Sequence, residues 1–140
     1  IDSSCNGYVT FDYTITVKAA LTVTVKYANL GQSYENQDPY VQVEATSTNG
    51  SYVMQTPHYY NNYNPVWNTV FNFGCQNWIN SLQIQIWDKD NYSADDPLSD
   101  LHQIALSPGN HTSLRYSSRS NGYLIYDYIL DMDEECNLAS

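Results

Sequence analysis

The chain has 140 residues, with five Lys or Arg against fifteen Asp or Glu and a formal net charge of −10. That length suits one domain with a single core. So few cations, none of them in a run, exclude a phosphate-tracking nucleic-acid surface and a purely electrostatic grip on anionic lipid. No apolar run approaches the eighteen or so residues of a membrane span.

Taken in chain order, every predicted element is a strand. Residues 8–13 alternate and open the series. Residues 21–25 place Leu21, Val23 and Val25 on one face. Residues 40–43 follow Pro39, and residues 51–55 follow the turn signal Asn49-Gly50. Residues 66–73 carry Trp67, Thr69, Phe71 and Phe73 on one face and Val70 on the other. Residues 82–86 alternate most cleanly, residues 101–106 more weakly, and residues 123–130 close the set. The pattern predicts an all-β, eight-stranded antiparallel sandwich of two four-stranded sheets, with no helical crossover. One domain spans 1–140, its core about 7–130, with short tails carrying Cys5 and Cys136. The segment Asn6-Gly-Tyr-Val-Thr-Phe-Asp-Tyr13 is echoed by Asn121-Gly-Tyr-Leu-Ile-Tyr-Asp-Tyr128, so either end of the chain is eligible for the same slot in a sheet. Strand topology stays open between those two arrangements.

The acids are not spread evenly. No residue from 45 to 87 carries a formal charge, and then Asp88, Asp90, Asp95, Asp96 and Asp100 follow with only Lys89 among them. Carboxylates crowded on one loop repel unless a cation resolves them, and calcium, a hard ion taking six to eight oxygens at flexible geometry, fits best. Asp88 and Asp90 lie two apart at a strand end, so both side chains face one site. His58, His102 and His111 stand near no persuasive nucleophile, which argues against an enzyme.

The cysteines and sequons bear on compartment. Cys5 and Cys136 bracket the chain and suit a disulfide joining its ends, which leaves Cys75 over for a protein partner. Three reduced thiols in a cytosolic protein is the alternative. The sequons at Asn49, Asn91 and Asn110 are candidate glycosylation sites and, with the cysteine placement, favour secretion.

Four phrases in order carry a resemblance: residues 21–30, Asp38-Pro39-Tyr40-Val41, Asn64-Pro65-Val66-Trp67-Asn68, and Ile86-Trp87-Asp88-Lys89-Asp90. Across roughly residues 7–130 the chain resembles the C2 domain, a calcium-dependent membrane-binding sandwich. The Asn-Pro-Val-Trp element, Phe71 to Gly74 and the loop ending in Asp95-Asp96 are most similar to the secreted perforin-type branch. The resemblance implies calcium ligands at Asp38, Asp88, Asp90 and Asp96, with Asp95 an extra acid and Asn61 contributing from the second loop. Gln32 stands where the family usually has an Asp, and Glu35 is placed to compensate. That departure implies one firm calcium site and leaves a second, weaker one open. Tyr34, Tyr60, Tyr63 and Tyr92 fall at loop tips, where tyrosine suits the headgroup level of a bilayer. The implied function is a calcium-dependent phospholipid-binding module of a secreted protein, peripherally associated with membrane. An extracellular calcium-binding structural or protein-interaction module without lipid binding is the rival.

Overall fold

The computed structural model describes residues 18–31, 36–48, 50–77, 79–117 and 122–132. The expected opening strand at residues 8–13 lies outside them. Nine strands are present among the described residues: β1 (Lys18–Asn29), β2 (Pro39–Ser47), β3 (Gly50–Gln55), β4 (Val66–Asn77), β5 (Ser81–Asp88), β6 (Asp96–Pro97), β7 (His102–Ala105), β8 (Gly109–Ser117) and β9 (Tyr123–Asp131). All pair antiparallel. One sheet has four strands, ordered β4-β1-β9-β8; the other has five, β3-β2-β5-β6 with β7 also on β5. The described residues include no helix.

Alternation in the sequence explains the layers. Leu21, Val23 and Val25 of β1 meet Val41 and Val43 of β2 and Leu82, Ile84 and Ile86 of β5, all wholly shut from solvent. At about 25 cal/mol per Å² of apolar surface removed from water, this row is the main source of stability. Val70 lies on the outer face, as its parity predicts.

Two regions depart from the expected eight strands. The weak strand expected at residues 101–106 is really the second half of a broken edge. β6 and β7 both pair with β5, through Asp88↔Asp96 and Ile84↔His102, with a kink between them. Ser99 fills that kink; it is fully buried, and its Oγ accepts the Ile86 N–H at 2.9 Å in place of a strand carbonyl. β8 escaped detection because its pattern is irregular: a register shift lies between His111 and Leu114, and Ser113 is left-handed at φ 54°. β4 is interrupted in the same way, with Asn68 at φ 45° and Gly74 at φ 69° beside its register shifts against β1.

The closing strand β9, not an opening one, lies between β1 and β8. This settles the topology in favour of the permuted arrangement. It also brings distant parts of the chain together, because Ala20 pairs with Cys75 on one side and Asp131 on the other.

That ladder bears on the cysteines. Cys75 is disulfide-bonded. Cys5 and Cys136 lie outside the described residues. The expectation of a spare Cys75 is therefore corrected, and the expected Cys5–Cys136 pairing falls outside the described residues. Cys75 sits at the end of the four-stranded sheet where β1 begins and β9 ends.

Candidate functional site

Three connections meet at the other end of the sandwich: residues 30–31 and 36–38 between β1 and β2, 56–65 between β3 and β4, and 89–95 between β5 and β6. The parity that buries Leu82, Ile84 and Ile86 also turns Asp88 inward at the rim, where it is buried. Asp88 Oδ1 accepts the Asp38 N–H at 2.7 Å, and Asp38 Oδ1 accepts the Asn61 N–H at 2.7 Å. The Asp38 carbonyl in turn accepts the Lys89 N–H at 2.9 Å. One oxygen of each aspartate thus ties two loops together. Asn61 takes φ 47°, a left-handed conformation that asparagine tolerates better than most residues.

The second loop is held from below. Trp67 Nε1 donates to the Pro57 carbonyl at 2.9 Å, and the Thr56 hydroxyl accepts the Val41 N–H at 2.9 Å. The Leu30 N–H reaches the Tyr63 carbonyl at 2.8 Å, joining the first loop to the second.

Asp95 organises the third loop. Its Oδ2 accepts the Tyr40 hydroxyl at 2.6 Å and lies 3.7 Å from Lys89 Nζ, while its Oδ1 accepts the Asp90 N–H at 3.0 Å. The Tyr40 hydrogen bond, then the Asp90 amide and the Lys89 charge, hold its carboxyl below the usual range. Burial and the same carboxylate push the Tyr40 phenol up. Both oxygens of Asp95 are spoken for within the protein, which separates it from its neighbours.

Asp90 is the opposite case. Its Oδ2 is shut from solvent with no N–H or O–H directed at it. What lies beside it is Asp96. Contact between the two carboxyls, favourable only with a proton shared between them, raises the Asp90 pKa most. Burial and the charges of Asp88, Asp96 and Asp95 raise it further. A carboxylate held this way lacks a positive partner.

Among the described residues, no three carboxylates, imidazoles or thiols form a group that could hold a metal ion. Gln32 and Glu35 of the first loop, and Tyr34 beside them, lie outside the described residues. The donors that do gather, Asp38, Asp88, Asp90 and Asp96 with the exposed Asn61, offer oxygen alone, with neither sulfur nor imidazole. Oxygen donors alone suit a hard cation rather than a soft one.

Tyr60 and Tyr92 stand out from the second and third loops, 74% and 102% exposed. Tyr63 is half-buried, and its carbonyl is already engaged by Leu30. Asn91 and Asn110 are exposed; Asn49 lies outside the described residues. Sequence reading missed Tyr40 as the strut of the third loop. The available signal was parity: Tyr40 sits on β2 directly opposite Trp87 on β5.

Comparison with known proteins agrees with the fold. The sequence profile of the C2 domain family matches residues 13–117. "Multiple C2 domain and transmembrane region protein 8" of Arabidopsis thaliana is 43% identical over 54 residues, which are 38% of this chain and 5% of that protein. The chain therefore spans a small part of this curated relative. A solved C2 domain superimposes with a TM-score of 0.65 at 26% identity, covering 81% of this chain and 98% of its own. A single C2 domain of plant Extended Synaptotagmin 1 does so with 0.67 at 18% identity, covering 86% and 98%. These comparisons do not single out the perforin-type branch.

Proposed function

Because the chain belongs to the C2 domain family, we propose that it is a calcium-dependent, phospholipid-binding module of a secreted protein, seated on membrane by its three-loop end. The single observation that carries this reading is Asp90, whose buried Oδ2 has no donor while Asp88, Asp95 and Asp96 crowd it. The proposed calcium ligands are Asp38, Asp88, Asp90 and Asp96, with Asn61 and, from the first loop, Glu35 and Gln32. They form one firm site, and the neutral amide of Gln32 weakens any second. Asp95 is left out of the set, because its oxygens already hold Tyr40 and the Asp90 amide.

Calcium would supply positive charge to this rim and open positions for a lipid phosphate. The protein's part is to pre-position oxygens from separate loops through the Asp38, Asp88 and Asn61 hydrogen bonds, and to present Tyr60 and Tyr92 to the interface. A tyrosine ring is apolar and its hydroxyl wet, which suits headgroup depth. The disulfide at Cys75 supports the secreted reading, since such bonds persist in oxidising compartments. Insertion of Tyr92 requires the neighbouring Asn91 sequon to stay unglycosylated.

The test is co-sedimentation of the chain with phosphatidylcholine vesicles, with calcium and with chelator, for the wild type and Asp90→Asn. The reading expects calcium-dependent sedimentation that Asp90→Asn abolishes. Calcium binding without sedimentation would favour the extracellular structural module. Absence of calcium binding by the wild type would sink the site.

A further inference from the structure

The outer face of the five-stranded sheet has a chemistry that the cation loops do not use. Across the strands, Gln55 of β3 pairs with Gln42 of β2, and Gln42 with Gln85 of β5. One row below, Glu44 pairs with Gln83, and Gln83 with Gln103 of β7. Neighbouring strands lie about 4.8 Å apart and successive outward residues about 7 Å apart, so the amides form a grid. None of the four strands carries Lys or Arg. Gln85 is already fixed, its Nε2 donating to the Ser99 carbonyl at 3.2 Å. At the upper edge Trp87 and Leu101, the latter 54% exposed, wall a depression of about 60 Å³ floored by Gln42 and Gln85. Trp87 Nε1 is shut from solvent and has no acceptor.

Each feature narrows the ligand. A primary amide both donates and accepts, which matches adjacent hydroxyls that do the same. The absence of a cation and the presence of Glu44 disfavour phosphate and other anions. The depression has about the volume of two waters, so it takes the edge of a ring, while the rest of the ligand lies along the grid. Indole and leucine offer an apolar wall to the carbon face of such a ring.

We propose that this face binds a soluble neutral oligosaccharide, lying across β2 and β5 with one sugar edge against Trp87. It needs none of the cation ligands. The test is calorimetric titration of the whole chain, in chelator, with cellohexaose, xylohexaose, mannohexaose and maltohexaose. At least one binds, and Gln42→Ala/Gln83→Ala weakens it by about tenfold or more, the worth of two hydrogen bonds, with the melting temperature unmoved. Trp87→Ala, which removes the ring that walls the depression, weakens it further. No binding of any of the four sugars at millimolar concentration overturns the proposal, as does binding that the double variant leaves unchanged. Phosphoinositide vesicles bound in chelator and lost in the same double variant would assign the face to lipid and also overturn it.

Discussion

Asp95 and Asp90 sit in one loop and are predicted to respond to substitution in opposite directions. Asp95 accepts the Tyr40 hydroxyl at 2.6 Å and the Asp90 N–H at 3.0 Å. Hydrogen bonds to a charged group contribute about 1.5–3 kcal/mol each. The Asp95 side chain is 19% exposed, and solvent brings each of the two bonds down to about 1–1.5 kcal/mol. Asp95→Ala should therefore cost about 2–3 kcal/mol in the calcium-free protein, including the stranded Tyr40 hydroxyl. For a chain of this size that is a fall of roughly 8–12 °C in melting temperature. Asp90→Asn removes the carboxyl that repels Asp88, Asp95 and Asp96, so the calcium-free melting temperature should hold or rise while the calcium-induced rise disappears. Differential scanning calorimetry of both variants, with calcium and with chelator, reads all four quantities. An Asp95→Ala protein that melts like the wild type in chelator, yet loses its calcium response, would make Asp95 a ligand and refute the division of labour.

Three further outcomes follow from the geometry. Ser99→Ala leaves the buried Ile86 N–H without its acceptor, which should cost about 1–3 kcal/mol in urea unfolding; a smaller loss would mean that water replaces the hydroxyl. His102 stacks on Tyr116 at 4.4 Å, with its Nε2 3.3 Å from the Tyr126 hydroxyl, and burial holds its pKa below the usual value. The unfolded chain then takes up the proton first, so this contribution is intact above a pH of about 6.5 and lost as pH falls through that value. His102→Gln should flatten the slope of melting temperature between about pH 7 and 5; an unchanged slope would assign it to other groups. Reducing the Cys75 disulfide should lower stability by about 2–4 kcal/mol, and non-reducing peptide mass spectrometry should place Cys5 or Cys136 opposite it; a Cys5–Cys136 peptide would contradict the structure.

Much of the sandwich was legible because period-two alternation is a direct imprint of burial. Leu82, Ile84 and Ile86 had no other face to occupy. What alternation cannot report is a strand interrupted on purpose. The weak alternation at residues 101–106 marks β7 and misses β6, because Ser99, a polar residue, is fully buried at their junction, and β8 is missed because Ser113 breaks its period. At the loop end, the clustering of aspartates pointed to a cation, but composition does not distinguish a carboxylate that is occupied from one that is orphaned. That difference depends on Tyr40, fifty-five residues from Asp95, and on which backbone amides the fold turns toward each oxygen. The cysteines misled for a similar reason. Placement away from the termini made Cys75 look spare, but nothing in the spacing reveals that it is disulfide-bonded or that it shares the Ala20 ladder with the end of β9.

The interruptions in the outer strands have a consequence for behaviour at high concentration. A sheet edge is a template on which another chain can crystallise its own backbone, one hydrogen bond after the next. Here β4 is broken by Asn68 and Gly74, β8 by Ser113, and the border of β5 is divided between a two-residue and a four-residue strand. An incoming strand would lose register within a few residues on each of these borders. Substituting Gly74 or Ser113 to straighten a border would lengthen the template and favour fibrous association over the dispersed chain.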